Sequence, residues 1–217
     1  MNYISAHSGQ SLQLYQPDEV RPLERGPFLP DVIARTVARY QFAKLPTLPA
    51  AEEGPLKFEI GKIIVDGVEI SINSLEIYRD GIIVNTRHTD DSDAVIDDFF
   101  GWMIETFGFR APMTKILRRY VSAVIVDLDS PLNSFLSRFE RAQQIVSDAY
   151  EQTRGERRDF HVSQITITPN LAEPQRDFFR LEIRTSSPHV VPNRYFCTAP
   201  LPTRAHIEML AALERAV

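Results

Sequence analysis

The chain has 217 residues, 43% of them hydrophobic and 24% charged, with a net charge of -5. That length and composition suit one well-buried globular core, and an acidic balance lacks the basic footprint that nucleic acid requires. The single cysteine, Cys197, excludes an internal disulfide and any thiolate-rich metal site built from this chain alone.

Residues 1–27 carry Pro17, Pro22 and Pro27 and little helical periodicity, so they read as an extended N-terminal arm, with a short edge strand where Leu12 and Leu14 alternate. The first residues have neither a basic nor an apolar leader region, and no stretch approaches the roughly 20 apolar residues of a membrane span. The expectation is a soluble, cytoplasmic protein without membrane contact. A helix is expected over 31–44, entered at Pro30-Asp31 and ended before Pro46. The stretch 47–55 reads as a loop.

Residues 56–88 alternate with period two, and Asp66-Gly67 and Asp80-Gly81 mark hairpin turns. They predict a meander of three or four antiparallel strands with a bulge near Gly61, where the phase slips between Ile60 and Ile63. Five aspartates follow at Asp90, Asp91, Asp93, Asp97 and Asp98. They precede and overlap a helix over 91–107 whose apolar stripe is Ile96, Phe99, Phe100, Met103 and Phe107, with Gly108 at its end. The acids read as N-cap, at Asp90 or Asp91, and as solvated outer face.

A strand is expected over 119–128. Ser130-Pro131 opens a long helix to about Gln152, with Leu132, Phe135, Leu136, Phe139, Ala142, Val146, Ala149 and Tyr150 as a continuous core stripe and Gly155 ending it. Strands near 160–168 and 178–185 come next. The aromatic, proline-punctuated stretch 193–202 reads as a cover over the sheet edge or a docking surface, and Thr203 caps a final helix. The fold class is therefore α+β. A largely antiparallel sheet of six to seven strands is covered by three to four helices, in a single domain over 28–217 behind the arm.

No glycine-rich phosphate loop, zinc-protease helix or serine elbow is present. The segment AVIVDLDSPLNS (123–134) resembles the first motif of haloacid dehalogenase-type phosphatases. That resemblance implies Asp127 as nucleophile and magnesium ligand and Asp129 as acid/base. Ser130 and Pro131 replace the family's glycine and threonine, and no lysine follows Lys115. His161-Val162-Ser163 is similar to one of the paired motifs of two-histidine phosphoesterases, and makes His161 a candidate beside the aspartates.

Charge divides unevenly: residues 1–108 carry 17 acids and 9 bases, residues 109–217 carry 12 acids and 15 bases. The basic run Arg110, Lys115, Arg118 and Arg119 is a candidate contact surface for Asp93 and Asp97 of a neighbouring copy. The favoured expectation is a non-enzymatic protein that acts through protein–protein contacts as an oligomer or assembly subunit, with no cofactor. The alternatives are a metal-dependent phosphoesterase using Asp127 and Asp129, and an accessory module binding an acidic or phosphorylated partner.

Overall fold

A computed structural model describes residues 1–22, 26–46, 54–112, 117–129, 139–169, 177–184 and 193–216. Eight strands and five helices are present among them: β1 (Asn2–Leu14), α1 (Pro17–Val20), α2 (Leu29–Tyr40), β2 (Leu56–Val65), β3 (Val68–Ile77), β4 (Gly81–Thr86), α3 (Thr89–Phe107), β5 (Leu117–Asp127), α4 (Glu140–Arg154), β6 (Gln164–Ile167), β7 (Phe179–Ile183), β8 (Arg194–Ala199) and α5 (Thr203–Ala216). The strand order is β2-β3-β4-β1-β5-β8-β7-β6, and the class is α+β as the hairpin-rich pattern predicts. Two compact units share the chain, one of residues 6–122 and 200–203, the other of 1–5, 123–199 and 204–217.

In the larger unit the meander forms as expected. Asp66 and Gly67 both take positive φ, 49° and 80°, which is the geometry a two-residue turn between right-twisted strands demands. Asp80-Gly81 does not form such a turn; Tyr78 N–H closes a longer loop on Gly81 O at 2.8 Å. No extra residue is inserted at Gly61 either, since Glu59 faces Ser74 and Gly61 faces Ile72 in one unbroken register. The phase slip comes instead from Ile60, whose φ is 58°. Both strands change face together there, so that Phe58 and Leu75 on one side and Ile63 and Ile70 on the other all remain buried.

Helix α2 stops at Tyr40, short of the expected residue 44, because Gln41 adopts the left-handed conformation at φ 50°. Ala43 and Lys44 then bond to Ile60 and Glu59 on the outer edge of β2, which supplies the partners their backbone would otherwise lack. The core of this unit joins Val32 and Tyr40 of α2, Val95, Ile96, Phe99 and Met103 of α3, and the inward residues of β2–β4.

The segment expected as an arm contains a thirteen-residue strand, and that strand is not at an edge. It pairs antiparallel with β4, from Gly9 opposite Thr86 to Leu14 opposite Gly81. Its buried face is polar: Ser11 is 0% and Gln13 2% exposed, while Leu12 and Leu14 turn to the other side and are only half-buried. Ser11 Oγ donates to Thr89 O, and Ser92 Oγ donates to Gly9 O at 2.9 Å. Small and hydroxylated residues sit here because the strand abuts the first turn of α3.

In the smaller unit Val124, Val126, Leu181, Tyr195, Cys197 and Leu210 form the core. The stretch expected as an edge cover is β8, which pairs with β7 through Cys197 opposite Leu181. Burial pushes the Cys197 thiol up to about 12, so it behaves as a small apolar side chain. Among the described residues no helix is long and apolar enough to cross a membrane.

Candidate functional site

Asp127 lies at the end of β5, where Arg194 at the start of β8 grips both its oxygens, Nε to Oδ1 at 2.7 Å and Nη2 to Oδ2 at 2.8 Å. That two-pronged pair, with its hydrogen bonds foremost, holds the Asp127 carboxyl below the usual carboxylate range. A nucleophile would have to give up this partner. Asp129 is 78% exposed in its side chain; its carboxylate meets the N-terminal ammonium of Met1, which also pairs with Glu214 at 2.5 Å. His161 is exposed. Among the described residues no group of three or more His, Cys, Asp or Glu side chains is placed to hold a metal ion.

The aspartate cluster is spread around α3, whose cap is His88 rather than Asp90 or Asp91. The first N–H of the helix, at Thr89, is satisfied by Thr203 Oγ1 at 3.1 Å, so the two acids fall within the first turn. Farther along, Arg118 of β5 pairs with Asp97 and lies 3.6 Å from Asp93, and Tyr120 Oη donates to Asp93 at 3.1 Å. Asp98 accepts from Arg39 and from Tyr40 Oη, both at 2.7 Å. The basic run and the acidic helix thus meet, but inside one chain. Arg118, Asp93 and Asp97, expected as a contact surface between copies, form a local clamp of β5 on α3 within the chain. Arg119 is exposed, and Lys115 lies outside the described residues.

Arg110 also turns inward. Its Nε donates to Arg21 O at 2.8 Å, its Nη2 to Asp18 O at 2.6 Å, and its backbone N–H to Val20 O. One side chain therefore pins the short turn from α1 to Pro22. That turn forms the lip of a cavity of about 260 Å³ whose walls include Tyr15, Val32, Ile82, Phe99, Phe100 and Met103. The one hydroxyl among the described wall residues, Tyr15 Oη, donates to Tyr78 O at 3.1 Å and Gly81 O at 3.4 Å. Burial, with a contribution from the charge of Asp80, pushes it up to about 12.

The second unforeseen feature is α4. Most of its expected core stripe is turned outward: Phe139 is 43% and Val146 48% exposed, and Ala142 and Ala149 are exposed with them, while Tyr150 of that stripe is half-buried; Ile145, outside the expected stripe, is 60% exposed. The helix packs instead through a face roughly a quarter turn away. There Ser147, its one buried residue, accepts from Phe160 N–H at 3.1 Å, and Tyr150 stacks on Phe160 at 5.4 Å between ring centroids. The expected helix start at Ser130-Pro131, with Leu132, Phe135 and Leu136, lies outside the described residues. The stripe was legible as apolar; which way it faced was not. The cavity had no sequence signal, because it arises from side chains on six separate stretches.

No protein-family model matches the chain, and comparison with curated proteins finds no match.

Proposed function

We propose that this protein is a non-enzymatic assembly subunit that associates with a second copy of itself through the apolar stripe of α4. The observation that carries this reading is the exposure of Ile145 and Val146, 60% and 48%, on a helix otherwise held by Ser147 and Tyr150. A helix of this length with an uncovered apolar face gains most by burying it against a like face. Antiparallel pairing centred on the middle of the helix opposes the two helix dipoles. Contact by protein also fits the aspartates, since Asp127 is consumed by Arg194 and Asp129 by the N-terminus.

Light scattering across a range of concentration and salt tests it. The expected result is a concentration-dependent dimer that Ile145→Glu and Val146→Glu convert to monomer without loss of helix content. A strict monomer at all concentrations, or a dimer indifferent to both substitutions, overturns it. So does metal-dependent phosphatase turnover abolished by Asp127→Asn.

A further inference from the structure

The geometry points to a binding site for a compact apolar organic molecule, about the size of two fused rings, in the cavity between α2, α3 and the β4 side of the sheet. The inference is independent of the α4 contact, because every described wall residue belongs to the unit of residues 6–122 and 200–203.

Size comes first. A dry apolar cavity of roughly 150 Å³ accepts benzene, and this one measures about 260 Å³. Wall chemistry narrows the class. Phe99, Phe100, Val32 and Ile82 offer no polar group, the Tyr15 hydroxyl donates to carbonyl oxygens, and Arg21, the one charged residue among the described walls, is largely exposed at the lip, where it pairs with Asp18. A ligand that needed hydrogen bonds inside would lose them, so the body of the ligand is hydrocarbon. Tyr15 and Phe100 stand edge to face, 5.6 Å apart at 89°, and present ring edges and faces that favour an aromatic guest. Met103, unbranched and polarizable, adjusts to its outline. Arg110 holds the Asp18–Arg21 side of the lip through two carbonyls, which fixes that side before anything enters.

The full-length chain titrated with N-phenyl-1-naphthylamine, an uncharged fluorescent probe, tests the site. The expected result is saturable binding at one probe per chain, displaced by naphthalene and by indole. Val32→Phe, which fills the recess, and Leu29→Trp, which narrows its rim from an exposed position, are expected to weaken the probe at least about tenfold while circular dichroism stays native. Gly101→Ala, on the open face of α3, is expected to leave it unchanged. Arg110→Ala is expected to weaken it with native circular dichroism, which identifies Arg110 as a positioning residue of the lip. Failure of the wild type to saturate overturns the site, and so does retention of full affinity in both Val32→Phe and Leu29→Trp. N-acetyl-tryptophan amide separates the sources of the ring: tighter binding of free indole supports a small molecule, whereas tighter binding of the peptide-borne ring overturns it.

Discussion

Replacing Gly9 with alanine tests the placement of β1 against α3 more severely than any other single methyl group. A Cβ at Gly9 would stand 2.3 Å from both His88 C and Thr89 N and 2.8 Å from His88 Cα. All three are backbone atoms, so no rotamer change can make room. Neither side is free to withdraw, because Gly9 is in register with Thr86 and its carbonyl accepts from Ser92 at 2.9 Å. Overpacking costs about 1–3 kcal/mol where neighbours can give, and this site lies at the upper end. Losing the Ser92 hydrogen bond adds about 1 kcal/mol. The expected loss is therefore about 3–4 kcal/mol, a large part of the roughly 5–15 kcal/mol that holds a domain together. Urea denaturation followed by circular dichroism reads it as a lower midpoint at unchanged slope. Gly101→Ala is the control: nothing lies within 4 Å of its Cβ, and helix propensity predicts a gain of about 1 kcal/mol. A Gly9→Ala protein within about 0.5 kcal/mol of wild type would show that β1 does not press on the start of α3.

Tyr40→Phe removes a charge-assisted hydrogen bond to Asp98 from a residue that is 0% exposed, and is expected to cost about 2 kcal/mol in the same melts. His206 is buried, and that burial pushes it down to about 4 from an ordinary value of 6.5. Its contribution is full above pH 6.5 and is lost as the pH falls toward 4, because the unfolded chain takes up the proton first. Between pH 7 and pH 5 the loss is about 2 kcal/mol, and His206→Gln is expected to remove that part of the pH dependence; an identical pH profile in the variant would refute it. Asp97→Asn is expected to cost less than about 1 kcal/mol and to leave the mass by light scattering unaltered, since Arg118 of the same chain is its partner. Deleting residues 1–14 is expected to unfold the protein rather than trim an arm, as proteolysis and circular dichroism would reveal.

The meander and the helix at Thr89–Phe107 were legible because each buries residues near its own repeat, two for the strands and about 3.6 for the helix, and the strand at Leu117–Asp127 because it carries a β-branched run that is buried on both faces from Ser122 to Val126. β1 was misread for the same reason inverted. Its buried positions are Gly9, Ser11 and Gln13, so the visible alternation of Leu12 and Leu14 marks the other face. β8 was hidden by its flanking prolines, although Tyr195, Cys197 and Ala199 alternate inward. Of the candidate site residues, the charges were all visible, and the attraction of Arg118 for Asp93 and Asp97 with them, but not that this pair closes within one chain or that Arg194 takes Asp127. Arg118 finds Asp97 across 21 residues, and Arg194 finds Asp127 across 67.

The amino-acid sequence by itself determined the class of the fold, since local periodicity and turn chemistry act within a few residues of each position. It also set the presence of an acidic helix face and a basic run. Tertiary structure decided how those charges were spent, which face of α4 packs, and that an apolar recess remains beneath the turn held by Arg110. The physical reason is range. A repeat is written in neighbouring residues, whereas an ion pair, an orientation or a cavity depends on volumes and partners brought together from distant parts of the chain.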